Sequence, residues 1–167
     1  MIHYHDSTNT FFQLAESFIN FTDQHLFLTG KAGTGKTTFL RHIIETTHKT
    51  AVVVAPTGVA AINARGVTMH SFFQLPFVPF VQANMEDPSG RFVSPISLFR
   101  KIKFSDNKRK LLQELELLII DEISMVRADM LDAVDVILRH FRRRQREPFG
   151  GVQVLMIGDL FQLPPVV

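Results

Sequence analysis

A glycine-rich segment at residues 30–37, with the sequence GKAGTGKT, has the residue types and spacing of a phosphate-binding loop (the P-loop, G-x-x-x-x-G-K-[ST]). Gly30, Gly33 and Gly35 permit backbone angles that turn successive N–H groups towards one centre. The N-terminus of a following helix adds to this positive nest. A short apolar segment precedes the glycines and a helical pattern follows them. This context favours a phosphate cradle over an ordinary glycine-rich turn.

The residues that close this segment carry side chains suited to a bound nucleoside triphosphate. We expect Lys36 to contact the β- and γ-phosphates and the hydroxyl of Thr37 to bind Mg²⁺. The remaining predicted cradle residues are Ala32, Thr34 and Thr38. The predicted cofactors are therefore ATP and Mg²⁺.

The apolar run at 117–120 ends in two adjacent acids, Asp121 and Glu122. An acid at the end of a buried strand can hold the Mg²⁺ of a P-loop site, and a second acid can orient or deprotonate the attacking water. We assign Asp121 to the metal and Glu122 to the water. Two acids in a turn after a strand are common, but the P-loop in the same chain favours the catalytic interpretation.

A further strand end is expected at 157–165, with the sequence IGDLFQLPP. A polar side chain just beyond a strand can sense the γ-phosphate, and Gln162 is the candidate, with Asp159 as its support. The alternative is an ordinary turn closed by Pro164 and Pro165.

Apolar runs and helical spacing alternate along the chain. Continuous apolar strands are expected near residues 26–29, 51–55, 116–121 and 152–157. Helical spacing is expected around residues 11–19, 36–47, 58–64 and 128–144. This alternation predicts an α/β fold, with a parallel sheet of at least four strands and helices on both faces. Residues 74–110, which are broken by Pro and Gly, predict loops with short elements.

Two short stretches, 100–110 and 139–147, concentrate positive charge in a chain whose net charge is only +2. Such clusters favour either a polyanion-binding surface or solvated helix ends, and the charges alone do not decide. Phenylalanines in the middle of the chain could stack on bases, although Phe is more often a core residue. These are Phe72, Phe73, Phe77 and Phe80.

The composition is that of one globular domain, with 46% hydrophobic and 20% charged residues among 167. The absence of cysteine excludes disulfides and thiolate zinc sites. It suits a reducing compartment, so we expect a cytoplasmic location, or a nuclear or mitochondrial one in a eukaryote. No apolar run is long enough to span a membrane, and the polar start does not resemble a secretory signal.

Four segments in order resemble the superfamily-1 DNA helicases of the RecD and petite-integration-frequency (PIF) type. They are GKAGTGKT at 30–37, APTGVAAINARGVTMHSFF at 55–73, LLIIDEISMV at 117–126 and IGDLFQLPPV at 157–166. The second is the most discriminating, because many ATPases share the P-loop and the acidic pair. The resemblance covers nearly the whole chain and implies a RecA-like motor domain. It further implies ATP-driven 5′-to-3′ translocation on single-stranded DNA and unwinding of the duplex, in DNA repair, recombination or the maintenance of telomeres and replication.

The resemblance also implies roles for residues outside the P-loop. The nucleic-acid contacts that it implies are Pro56, Thr57, Gly58, His70 and Phe72. Gln13, in the first predicted helix, would contact the adenine. The strand before Gln162 would lie between the P-loop strand and the strand before Asp121, which would bring Gln162 to the γ-phosphate.

Helicases of this type have a second motor domain, whose arginines complete the ATP site from across a cleft. The sequence ends at Val167, just after the last of these segments, and Arg127 and Arg142 to Arg144 do not match those arginines. We therefore expect residues 1–167 to form a single monomeric motor domain, truncated before its C-terminal partner and nearly inactive alone. Two alternatives remain: a P-loop ATPase that acts as a loader or remodeller, and a nucleotide- or DNA-binding module without hydrolysis.

Overall fold

The computed structural model describes residues 10–162, which contain a parallel sheet of five strands in the order β1-β5-β4-β2-β3. The strands are β1 (Leu26–Thr29), β2 (Ala51–Ala55), β3 (Val67–Thr68), β4 (Leu117–Ile120) and β5 (Gln153–Gly158). The four predicted strands are confirmed, and all of them pair in parallel. The sequence pattern does not predict β3, because two residues are too few to show a period.

Helices connect the strands along the described part of the chain. They are α1 (Thr10–Phe21), α2 (Lys36–Thr46), α3 (Gly58–Asn63), α4 (Met69–Phe73), α5 (Pro95–Lys101), α6 (Asp106–Glu114) and α7 (Ala128–Arg142), with short 3-10 turns at Ile123–Met125 and Pro148–Gly151. Between residues 10 and 162, no helix combines the length and the apolar character needed to cross a bilayer.

The sheet is covered on both faces, because successive side chains of a strand point to opposite sides. Every residue of β4 is buried. Leu117 and Ile119 pack into one core with α1 and α2, whereas Leu118 and Ile120 pack into the other with α4 to α7. This division confirms the predicted parallel sheet with helices on both faces.

The segment 74–110 contains more helix than its Pro and Gly content predicts. Ser94 begins α5 with a capping box, in which Ser94 Oγ accepts from the Ser97 amide and Ser97 Oγ accepts from the Ser94 amide. Ser105 caps α6 by accepting a hydrogen bond from the Lys108 amide. A bridge between Phe80 and Val93 anchors the preceding loop.

The arginine-rich stretch 139–147 lies at the amino end of the strands, because α7 follows β4 and returns to the start of β5. Arg142 donates from Nε to the Gly150 carbonyl at 2.7 Å. Its Nη1 donates to the carbonyls of Leu112, Gln113 and Leu115 at 2.9, 2.8 and 2.6 Å. Arg142 therefore satisfies carbonyl groups at the end of α6, so it has a structural role and is not part of a polyanion-binding surface.

We expect Arg142→Ala to lower the free energy of unfolding by about 2–4 kcal/mol, because these carbonyl groups lose their charged donor. Chemical denaturation followed by circular dichroism measures this change. Arg146 is exposed in the same stretch, and Arg146→Ala should change the free energy of unfolding by less than about 0.5 kcal/mol. Equal losses in the two variants would contradict the capping role.

Candidate nucleotide and nucleic-acid site

The carboxyl ends of the parallel strands bring the predicted chemical groups to one edge of the sheet. The P-loop follows β1, the acidic pair follows β4, and Asp159 follows β5. Strand β5 lies between β1 and β4, which is the order that the family resemblance implies for the strand before Gln162.

The P-loop joins β1 to α2, and two of its glycines leave open space beside the backbone. Gly33 and Gly35 have φ angles of 78° and 90°, in the left-handed region that favours glycine. A Cβ at either position would meet no atom within 4 Å, so the space in front of the loop is free. At Gly30, a Cβ would lie only 2.6 Å from Thr34 Oγ1. The loop therefore needs glycine at 30 for internal packing and at 33 and 35 for its backbone conformation, as a phosphate cradle requires.

Lys36 folds its side chain back over the loop. Its Nζ donates to the carbonyls of Gly30 and Lys31, the second at 3.0 Å. Thr34 Oγ1 donates to the same Lys31 carbonyl at 2.8 Å. A phosphate oxygen is a stronger partner for an ammonium group than a neutral carbonyl, so Lys36 can exchange these contacts for a nucleotide. The remaining cradle residues are exposed: Ala32, Thr34, Thr37 and Thr38.

Asp121 continues the sheet one residue beyond β4, and its amide donates to the Val54 carbonyl of β2 at 2.9 Å. Burial raises the pKa of its carboxyl group, and the charge of Glu122 also raises it. A hydrogen bond from the Glu122 amide and the positive charge of Lys36 oppose this shift. Asp121 is therefore in electrostatic contact with both the P-loop lysine and the second acid.

Glu122 has φ 53° and ψ 45°, a left-handed conformation that is uncommon for a residue with a side chain. It begins the 3-10 turn Ile123–Met125, which packs tightly against the end of β5. A Cβ at Gly158 would lie 2.9 Å from Ile123 Cγ2 and 3.1 Å from the Ile123 nitrogen. Gly158 thus permits the close approach that holds the acidic turn in place.

Asp159 is buried at the end of β5 and organises the following turn through the backbone. Its Oδ1 accepts from the Phe161 amide and its carbonyl accepts from the Gln162 amide, both at 3.0 Å. The Gln162 side chain is exposed. Asp159 therefore holds the backbone of Gln162 in the turn after β5. Contact between the Gln162 side chain and a γ-phosphate stays a prediction. Residues 163–166, which the family motif also includes, lie outside the described residues.

Gln13 is exposed on α1, and α1 packs against the first turns of α2. The Phe12 ring lies 4.9 Å from the Phe39 ring and 5.0 Å from the His42 ring, measured between centroids. These contacts hold the start of α1 beside the helix that begins with Lys36. An adenine contact of Gln13 is compatible with this placement and stays a prediction.

The expected nucleic-acid residues Pro56, Thr57 and His70 line a single cavity of about 90 Å³, together with Met125 and Met130. Thr57 Oγ1 accepts from the Ala60 amide and caps α3, so its hydroxyl also has a structural role. Gly58, the first residue of α3, is exposed. The cavity brings together residues from four parts of the chain: the turn after β2, α4, the 3-10 turn Ile123–Met125 and α7.

Phe72 does not fit the predicted role of a base contact. Its side chain is buried in the core, and the Lys108 ammonium lies 2.8 Å from the centre of its ring. Burial lowers the Lys108 pKa to about 8. Phe77 offers the aromatic surface instead, because it is 91% exposed and stacks on His70 with 4.8 Å between ring centroids.

The basic stretch 100–110 is partly neutralised by local partners. Arg100 pairs with Glu86 at 2.6 Å, and Lys110 pairs with Glu114 at 3.8 Å. The stretches 100–110 and 139–147 contact each other, because the centroids of the Phe104 and Phe141 rings are 5.0 Å apart. The second stretch lies at the amino end of the strands, opposite the edge that carries the acidic pair.

Met125 and Met130 belong to the cavity, although no pattern in the sequence predicts a role for them. Met125 comes three residues after Glu122, and Met130 lies in the first turn of α7. A single-sequence pattern does not reveal them, because apolar residues beside a motif are usually core residues.

We expect Lys36→Ala to weaken Mg-ATP binding at least about tenfold without unfolding the chain, because the phosphates lose a charge-assisted donor. Titration with a fluorescent ATP analogue measures the affinity. Lys31, exposed in the same loop, is the matched control, and Lys31→Ala should change the affinity less than about threefold. An unchanged affinity in Lys36→Ala would reject the phosphate assignment.

Comparison with known proteins gives a consistent result. The family model of PIF1-like helicases matches residues 4–167. The chain is 41% identical over 146 residues to the ATP-dependent DNA helicase PIF1 of Candida albicans, covering 85% of this chain and 15% of that protein. The chain thus spans less than a fifth of the length of this relative.

Solved structures of Bacteroides Pif1 have the same fold. A structure bound to single-stranded DNA is 49% identical with a TM-score of 0.80, over 95% of this chain and 33% of that chain. A structure in complex with ADP-AlF4 is 50% identical with a TM-score of 0.78, over 93% of this chain and 33% of that chain. With its RecA-like parallel sheet and its P-loop, this chain belongs to the PIF1-like helicase family.

Proposed function

We propose that this chain is the ATP-binding motor domain of an ATP-dependent 5′-to-3′ DNA helicase, and that residues 1–167 act as one domain beside a second motor domain. The observation that carries this proposal is the convergence of the P-loop, the acidic pair and the cavity of Pro56, Thr57 and His70 at one sheet edge. A helicase must couple a nucleotide site to a DNA site, and here the two sites share the turn after β4.

In this proposal ATP binds to the open nest of the P-loop, and Lys36 exchanges its carbonyl partners for phosphate oxygens. The Thr37 hydroxyl and the Asp121 carboxylate would hold Mg²⁺, because both supply the oxygen ligands that this ion prefers. Bound Mg²⁺ supplies charge neutralisation on the phosphates. Glu122 orients the attacking water and accepts its proton, so that hydrolysis proceeds by in-line attack on the γ-phosphorus.

Two glutamines complete the proposed nucleotide site. Gln162 follows β5, between the P-loop strand and the acidic strand, and would sense the γ-phosphate from there. Gln13 lies on a helix packed against α2 and would contact the adenine. Both roles depend on the family resemblance and on the neighbouring elements.

Single-stranded DNA is the proposed polymer ligand, as in the Bacteroides Pif1 structure described above. Pro56, Thr57 and Gly58 would approach the DNA backbone, and His70 would approach the bases. Phe77 replaces Phe72 in our proposal, because the Phe72 ring is buried and the Phe77 ring is exposed. Family membership favours this function over that of a P-loop loader or remodeller.

The isolated 167-residue chain should bind Mg-ATP but release phosphate far below about one per second, the low end of ordinary enzyme turnover. An arginine from a second domain contributes about 10³–10⁵ in rate in related ATPases, and this site would lack it. Oligo-dT should not restore turnover, because DNA bound to this domain alone does not supply that arginine. Phosphate release with and without oligo-dT measures this. Turnover near one per second that Glu122→Gln abolishes would show a complete site and contradict the two-domain proposal.

Binding of oligo-dT to the chain should be weak, with a dissociation constant of about 1 μM or higher, and should weaken further with salt as cations are released from the DNA. Phe77→Ala should lower the affinity by about 5- to 100-fold, which corresponds to one lost stacking contact. Fluorescence anisotropy measures both effects. Phe21, which is 82% exposed at the far end of α1, is the matched control, and Phe21→Ala should bind as the unmodified chain does. Equal losses in both variants would reject this DNA surface.

A further inference from the structure

The 3-10 turn Ile123–Met125 connects the proposed nucleotide site to the proposed DNA site. At one end, the Met125 side chain lines the cavity with Pro56, Thr57 and His70. At the other end, the Met125 amide donates to the Glu122 carbonyl at 3.0 Å. One residue therefore has its side chain in the cavity and its backbone bonded to the acid assigned to the attacking water.

The turn has little freedom to absorb a displacement. Glu122 already has the left-handed conformation described above, and Ile123 packs against Gly158 so closely that a Cβ there would lie 2.9 Å from Ile123 Cγ2. The Ser124 side chain is buried behind the turn. Strained backbone persists only where its surroundings hold it in place. Since the packed turn has little freedom to absorb a displacement, we expect a shift of Met125 to move the Glu122 peptide.

The cavity suits the edge of an unpaired nucleobase. A proline ring, an imidazole and two methionine side chains form its walls, and the exposed Phe77 ring stacks on His70 beside it. Bases present a flat apolar face that packs on aromatic rings in a sequence-tolerant way. Methionine side chains are unbranched and flexible, so they can move aside to admit a group larger than the cavity of about 90 Å³.

We propose that Met125 couples the entry of a nucleobase into this cavity to the position of Glu122. The inference rests on the proposed function, because it takes single-stranded DNA as the ligand. The entering base displaces the Met125 side chain, and the hydrogen bond from the Met125 amide transmits the movement to the Glu122 peptide. Met125 is a positioning residue in this proposal and touches no reacting atom of the nucleotide.

Met130, which also lines this cavity, provides a matched control. It belongs to α7, and its amide donates to the Arg127 carbonyl at 3.1 Å rather than to the acidic turn. Met130→Ala therefore removes a similar volume from the cavity without altering the contact with Glu122. If the methionines only support the structure of the cavity wall, the DNA-induced shift of the Glu122 signal should be the same in Met125→Ala and Met130→Ala.

The test uses the full 167-residue chain with ¹³C-labelled methionine methyl groups and ¹⁵N-labelled amides, titrated with oligo-dT. In the unmodified chain, the Met125 and Met130 methyl signals and the Glu122 amide signal should all shift. In Met125→Ala the Glu122 shift should fall at least about threefold at equal saturation, while the Met130 methyl still shifts. In Met130→Ala the Glu122 shift should persist. The methyl signal of Met69, which is fully buried, reports whether each variant is folded.

A second measurement uses the reciprocity of coupled binding. Saturating oligo-dT should change the Mg-ATP affinity of the unmodified chain about fivefold, a typical coupling, and less than about twofold in Met125→Ala. Met125→Leu, which conserves volume, should restore the coupling. If Met125→Ala unfolds, Met125→Val shortens the side chain with a smaller loss of packing and carries the same expectation.

The outcomes separate this inference from the function on which it rests. If oligo-dT shifts no signal at Thr57, Gly58, His70 or the two methionines, the proposed DNA surface is wrong. If those signals shift and Glu122 responds equally in the unmodified chain and in Met125→Ala, the DNA surface stands and the coupling role of Met125 is overturned.

Discussion

The hydrogen bond from the Asp121 amide to the Val54 carbonyl holds the two halves of the candidate site together. It extends the pairing of β4 with β2 by one residue, so the acidic turn begins beside the segment that starts at Pro56. The four paired positions of β2 and β4 set the same register along the rest of the two strands. The proposed link between nucleotide and DNA depends on this register.

Close backbone approaches then set the shape of the site. The glycines at 33 and 35 open the P-loop towards the phosphates, and Gly158 lets the acidic turn pack against β5. Glu122 keeps an unfavourable left-handed conformation within that packing. Strain of this kind at a residue with a proposed chemical role is typical of sites whose surroundings hold them ready for a ligand.

Some basic side chains are held by contacts within the protein and others are accessible, and the composition does not distinguish the two groups. Arg142 is committed to four carbonyl oxygens, and Lys108 is held over the ring of Phe72. A cluster of basic residues in the sequence is therefore not a DNA-binding surface by itself. The candidate DNA surface is instead defined by the cavity and by the exposed ring of Phe77.

The sequence alone determined the P-loop, the acidic pair and the alternating strands, because each depends on local spacing or on a continuous apolar run. It also determined the family resemblance, whose motifs are ordered along the chain. Which aromatic ring is accessible depends on tertiary packing. Phe72 and Phe77 have the same side chain, but Lys108 of α6 lies over the ring of Phe72, whereas the ring of Phe77 is exposed. The tertiary structure also decided that Met125 reaches the cavity, because that contact joins segments far apart in the chain whose proximity depends on the pairing of β2 with β4.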